Sequence, residues 1–109
     1  MTRRASKDAN HDAIVRRFQD LGCSVVEIHA TGIPGLPDLA CGCVGVTHLV
    51  EIKNPGTAYG RQGFNANQTA FARDWRGGRV WVVRSEDEAM ALVQNWRRAV
   101  KTSTRGAKP

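Results

Sequence analysis

The stretch from Pro37 to Lys53 constrains this chain more than any other. Two strand-like runs, roughly Asp38–Cys43 and Val46–Lys53, are separated only by Val44-Gly45, which lets them fold back as an antiparallel hairpin. In that register Gly42 faces Thr47, Ala40 faces Leu49, and Asp38 faces Glu51. Directly opposed side chains have Cβ atoms ~4.5–5.5 Å apart. Two carboxylates placed so close in a half-buried site repel strongly. A divalent cation between them removes the difficulty, and hard Mg²⁺ suits one or two carboxylates completed by water. Lys53 lies two residues beyond Glu51, so both side chains leave the same sheet face. An ammonium there can orient a metal-bound water or stabilise charge developing on a phosphate. Together these parts suit attack by water on a phosphodiester. Taken singly, Pro37-Asp38 also reads as a turn, and Glu51-Ile52-Lys53 as an exposed cross-strand ion pair.

The rest of the chain supplies helices and one more pair of strands. Residues 1–7 read as a loose basic arm. Asp8 is a plausible N-cap for a helix carrying Ile14, Val15, Phe18 and Leu21 at helical spacing, stopped by Gly22. Cys23 to Ile28 reads as a buried strand, and His29 to Pro37 as a turn-rich connection. Asn54 to Ala66 is a long loop, of a length that is often functional. A short helix over about Asn67–Arg76 follows, then a strand over Arg79–Arg84. Ser85 and Glu88 form an S-x-x-E capping box opening a last helix that buries Ala89, Leu92, Val93, Trp96 and Val100. Residues 101–109 carry no large apolar group and are expected to be a disordered basic tail. The order is α-β-β-β-α-β-α, an α/β domain over residues 8–100 with a central mixed sheet flanked by helices.

Composition narrows the function classes. The 109 residues suffice for one domain, and 41% hydrophobic with 24% charged residues is a globular balance. No apolar run is long enough to span a membrane, and the start Met1-Thr2-Arg3-Arg4 lacks the apolar stretch of a secretory signal, so a soluble, cytoplasmic protein is expected. Cys23, Cys41 and Cys43 lack redox or zinc spacing and read as reduced, mostly buried thiols. The three histidines are not spaced as metal partners in sequence. A net charge of +6 favours a polyanionic partner. Trp75, Trp81 and Trp96 fall on apolar stripes and read as packing residues. No P-loop and no Ser/His/Asp or Cys/His nucleophile set stands out.

Gly32-Ile-Pro-Gly-Leu-Pro-Asp-Leu-Ala40, then a hairpin, then His48-Leu-Val-Glu-Ile-Lys-Asn54, then a loop and Asn67-Gln68 opening a short helix, resembles the VRR-NUC type of the PD-(D/E)xK nuclease superfamily, especially its small phage-borne members. The resemblance runs from about Asp8 to Glu88 and implies a restriction-endonuclease-like core. It also implies a Mg²⁺-dependent (alternatively Mn²⁺-dependent) endonuclease acting on DNA. Branched, flapped or nicked duplex, in recombination or repair, is the substrate expected. By the same resemblance Asp38, Glu51 and the backbone carbonyl of Ile52 bind the metal, Lys53 is catalytic, and Gln68 sits near the site. Gln68 also shares a stripe with Phe71, Ala72 and Trp75, which turns its amide inward, where a lone structural hydrogen bond would equally explain it.

Many members carry a glutamate on the first helix, where this chain reads Asp8-Ala9-Asn10-His11-Asp12-Ala13. Asp12 could substitute with a shorter reach, or His11 or Asn10 could occupy the place. That departure leaves open a weak or inactive nucleic-acid-binding module on the same fold. A small scaffold with solubilising tails is the reading that discards nucleic acid. His29, Tyr59 and Arg61 are candidate nucleic-acid contacts, the last two in the long loop where aromatic and basic groups mix. Cutting two strands at once needs two sites, and hence a homodimer.

Overall fold

A computed structural model of the chain describes residues 2–56 and 63–106. The elements are α1 (Thr2–Asp20), β1 (Ser24–Glu27), a single 3-10 turn (His29–Thr31), β2 (Leu39–Cys43), β3 (Val46–Ile52), α2 (Ala66–Asp74), β4 (Val80–Val83) and α3 (Glu86–Gly106). They form one mixed four-stranded sheet in the order β1-β2-β3-β4. The β1–β2 and β2–β3 pairs are antiparallel, and β4 lies parallel to β3. A parallel pair needs a crossover, and α2 lies in that connection. Among the described residues no helix is long and apolar enough to cross a membrane.

The β2–β3 hairpin has the expected register, with Gly42 opposite Thr47, Ala40 opposite Leu49 and Leu39 opposite Val50. Its turn places both Val44 (φ 44) and Gly45 (φ 83) in the left-handed region. Positive φ at both central positions matches the twist of the flanking strands. Glycine takes that conformation freely, whereas β-branched Val44 does not.

Alternation along the strands assigns the two sheet faces. Leu39, Cys41 and Cys43 of β2 and Val50 of β3 turn to one side, where Ile14 and Phe18 of α1 and Ala89, Val93 and Trp96 of α3 complete the core. Phe18 stacks on Trp96 with ring centroids 5.9 Å apart, and His48 stacks on the same indole at 3.9 Å. Burial holds the His48 imidazole below its usual pKa, and among the described residues its Nε2 has no hydrogen-bond partner. The three cysteines are free and buried. Burial, first of all, pushes the Cys23 and Cys41 thiols up to about 12, so both stay protonated.

Several boundaries differ from expectation. α1 begins at Thr2 rather than at an Asp8 cap, so residues 2–7 are helical and not a loose arm. No Gly or Pro interrupts residues 2–20, and a capping residue inside a continuous helical run does not start a helix. α3 likewise continues through residues 101–106, expected to be a disordered tail, up to its terminal Gly106, and residues 107–109 lie outside the described residues. Its start follows the predicted capping box: the Glu88 N–H donates to Ser85 Oγ, and the Glu88 carboxylate turns back to the N–H of Arg84. β1 is not a buried strand. It lies at the sheet edge with Val26 60% exposed, because helices cover only one of its faces. Trp96 and Trp81 pack as expected, but Trp75 is 45% exposed and meets mainly Phe71, stacked at 5.4 Å. α2 has no fully buried residue.

Candidate active site

The face of the hairpin opposite the core carries the chemistry. Glu51 and Lys53, at the end of β3, are 7% and 2% exposed, the buried charged residues of the described chain. They lie on the same side of the strand by alternation, and Lys53 Nζ stands 3.7 Å from Glu51 Oε2. Asp38 enters at the start of β2, where its carbonyl accepts the Ile28 N–H and prolongs the β1–β2 ladder. Its carboxylate Oδ2 accepts the Ile52 N–H at 2.8 Å, which fixes Asp38 against the peptide that links Glu51 to Lys53.

Gln68 closes the group from α2. Its Nε2 donates to Glu51 Oε2 at 2.8 Å, and its Oε1 accepts from Lys53 Nζ at 3.0 Å. One amide therefore holds the carboxylate by its donor and the ammonium by its acceptor. The same Oε1 accepts the Asn65 N–H at 3.0 Å, while Asn65 Oδ1 accepts the Gln68 N–H at 2.9 Å. These reciprocal bonds are a capping box, so the residue that starts α2 also fixes the Gln68 amide. Asn65 was missed in the sequence, although Asn65-x-x-Gln68 fits the capping pattern.

The loop before Asp38 is seated on α2 by Gly35. Its φ of +79° favours glycine, and a Cβ there would fall inside the Asn67 carbonyl group. This close approach brings the Asp38 loop and the first turn of α2 together, so the acidic pair and Gln68 are positioned against each other.

Glu51 carries the electrostatic signature of the site. Burial first, and the nearby Asp38 charge second, push its carboxyl from 4.5 up to about 7, against the opposing pull of Lys53 and Gln68. Such a carboxylate resists ionisation unless positive charge arrives. Two carboxylates held together beside a peptide, an all-oxygen donor set, fit a hard divalent cation.

The structure thus brings together Asp38, Glu51, Lys53 and Gln68, with the Ile52 peptide bonded to Asp38. Asp12 does not join them. It lies exposed on α1, two positions from core-facing Ile14 and off that helical face. His29 turns to Glu27, with 3.5 Å between His29 Nε2 and Glu27 Oε1. Tyr59 and Arg61 lie outside the described residues.

No family model matches the chain, and no curated protein matches it. A solved structure described as a VRR_NUC domain does, with a TM-score of 0.61 and 26% identity, over 80% of this chain and 92% of that one. The fold is that of a VRR-NUC type nuclease. On this VRR-NUC type fold the acidic pair, the lysine and the glutamine occupy one end of the central hairpin, at the strand ends that face α2. The α/β arrangement expected from the sequence is the one observed.

Proposed function

We propose that this protein is a divalent-metal-dependent DNA endonuclease, selective for branched, flapped or nicked duplex in phage or bacterial recombination and repair. The observation that carries the reading is the buried Glu51–Lys53–Gln68 network beside Asp38, a costly arrangement that the packing of the fold does not require. Asp38, Glu51 and the Ile52 carbonyl would hold Mg²⁺, or Mn²⁺ in its place. When bound, such an ion neutralises the pair, polarises a phosphoryl oxygen and makes water a better nucleophile near neutral pH.

The chain's own residues do the rest. Asp38, pinned by the Ile52 N–H, keeps its carboxylate in one orientation. Lys53, held by Gln68, presents fixed positive charge where a phosphate becomes more negative during attack. Gln68 positions both Glu51 and Lys53. The +6 net charge draws in the polyanion, and Tyr59 and Arg61, between β3 and α2 in the sequence, would contact the DNA. Cleavage of a junction on both strands requires a homodimer, whereas flap trimming or nicking does not.

The test is cleavage of labelled junction, flap, nicked and linear duplexes with Mg²⁺, Mn²⁺ or EDTA, using wild type, Asp38→Asn and Glu51→Gln. Metal-dependent cutting by wild type alone is expected, with both variants folded. Equal cutting by the variants refutes the reading. The exposed position of Asp12, which leaves the acidic set at two carboxylates, favours a second reading: a catalytically weak or inactive nucleic-acid-binding module. Salt-sensitive DNA binding with no cut under any metal would establish it.

A further inference from the structure

A second constellation lies on the other side of the sheet. His11 of α1, Glu27 at the end of β1 and His29 of the 3-10 turn offer ligand atoms that all lie within 4.8 Å of one another. Glu27 is paired with Leu39, whose side chain is in the core beneath α1 and α3. Directly opposed antiparallel residues share a face, so this cluster is on the α1 side, away from Glu51, Lys53 and Gln68.

Its geometry is unusual for a simple ion pair. The Nε2 atoms of both imidazoles converge on one oxygen, Glu27 Oε1, at 2.6 Å from His11 and 3.5 Å from His29. The rings meet edge to face with centroids 5.5 Å apart. A hydrogen bond to Glu27 needs one imidazole, and the second, beyond hydrogen-bond distance, gains little by pointing at the same atom. Two imidazole nitrogens and a carboxylate around one point are instead a His₂–carboxylate set, which first-row divalent ions accept with the remaining positions open to water. Bonds of about 2.0–2.1 Å separate tetrahedral ligand atoms by about 3.3 Å. The 3.5 Å between His29 and Glu27 is close to that spacing, and His11, at 2.6 Å from Glu27, lies nearer than it.

We propose that His11, Glu27 and His29 form a second metal site, selective for a borderline transition ion such as Zn²⁺ or Co²⁺ rather than Mg²⁺. Imidazole nitrogen suits these ions and not hard Mg²⁺, so the site differs in chemistry from the all-oxygen set at Asp38 and Glu51. The ion ties α1 to the exposed edge strand β1, next to the Ile28–Asp38 backbone bond. It would therefore brace the strand that orients Asp38. This inference does not depend on the nuclease reading.

Metal-stripped protein titrated with Co²⁺ in excess Mg²⁺, which occupies the oxygen set at Asp38 and Glu51, provides the test, followed by visible absorption and by the change in Tm. Wild type is expected to bind one Co²⁺ per chain with nitrogen–oxygen ligand bands, a raised Tm, and no displacement by excess Mg²⁺. His11→Asn and His29→Asn should each weaken binding ~10-fold or more, the range reported even for residues that only support metal ligands. Glu51→Gln should bind Co²⁺ at this site as wild type does. His29 is half exposed, so its variant keeps the test valid if His11→Asn fails to fold. The proposal is overturned by no Co²⁺ binding, by binding that survives both histidine variants, by loss in Glu51→Gln alone, or by thiolate charge-transfer bands that place the ion on the cysteines.

Discussion

Replacing Glu51 by Gln separates the electrostatic strain of the acidic pair from its use. In the metal-free protein burial and Asp38 raise the Glu51 carboxyl from 4.5 to about 7. The folded state then holds a proton that the unfolded chain releases, so Glu51 favours folding below pH 4.5. That contribution is lost as the pH rises through the folded value near 7. At ~1.4 kcal/mol per pH unit, the displacement sets an upper limit of about 3 kcal/mol. A glutamine at this position does not titrate. The stability of Glu51→Gln relative to wild type should therefore grow between pH 5 and pH 8 by roughly 2–3 kcal/mol. The attraction of Lys53 is already contained in the value near 7, and titration of His48 is common to both proteins, so neither alters that growth. Urea denaturation at several pH values with EDTA measures it. Mg²⁺ should restore wild-type stability at pH 8 and leave the variant unmoved. Parallel pH curves, or an equal response to Mg²⁺, would refute the reasoning.

Three further perturbations test the fold around the site. Val44→Gly removes the left-handed strain at the hairpin turn and should raise stability by about 1 kcal/mol in thermal denaturation, without changing DNA cleavage. Gly35→Ala forces a methyl group into the Asn67 carbonyl, so a loss of about 1–3 kcal/mol should accompany a larger fall in cleavage as Gln68 is displaced. The His48 pKa is lowered by burial, so the unfolded chain binds the proton more readily. His48 therefore costs stability as the pH falls below about 6.5, opposing the gain from Glu51 there, so the stability of His48→Phe, which keeps the stack on Trp96, should rise relative to wild type between pH 7 and pH 5 in denaturant titrations.

The hairpin and its chemistry were legible because both rest on short-range rules. A two-residue turn sets the register, and a two-residue spacing sets the face, so Asp38, Glu51 and Lys53 could be placed together from the sequence. Gln68 was visible as a polar residue on an apolar stripe, although its double role needed the cap at Asn65. What depended on distant packing was hidden. The strand order leaves β1 at an edge, which nothing in the run from Cys23 to Ile28 announces. His11 and Glu27 meet only because α1 lies over that edge, so ligand spacing along the chain was no guide. His48 looks like a surface residue on a strand until Trp96 of α3 covers it. The helix ends were misplaced for a simpler reason: local cap signals compete with the absence of any breaker, and the latter prevailed at Thr2 and beyond Val100.

The capping box of α2 has a consequence for heat. Asn65 and Gln68 nucleate the helix with the same atoms that secure Lys53 and Glu51, and α2 has no residue fully shielded from solvent to anchor it. First turns of such helices fray well before the remainder of a domain melts. When this one unwinds, the lysine and glutamate lose their shared tether at once. The molecule should therefore stop working while its sheet and the α1–α3 layer remain intact, and a few degrees of warming below Tm would suffice.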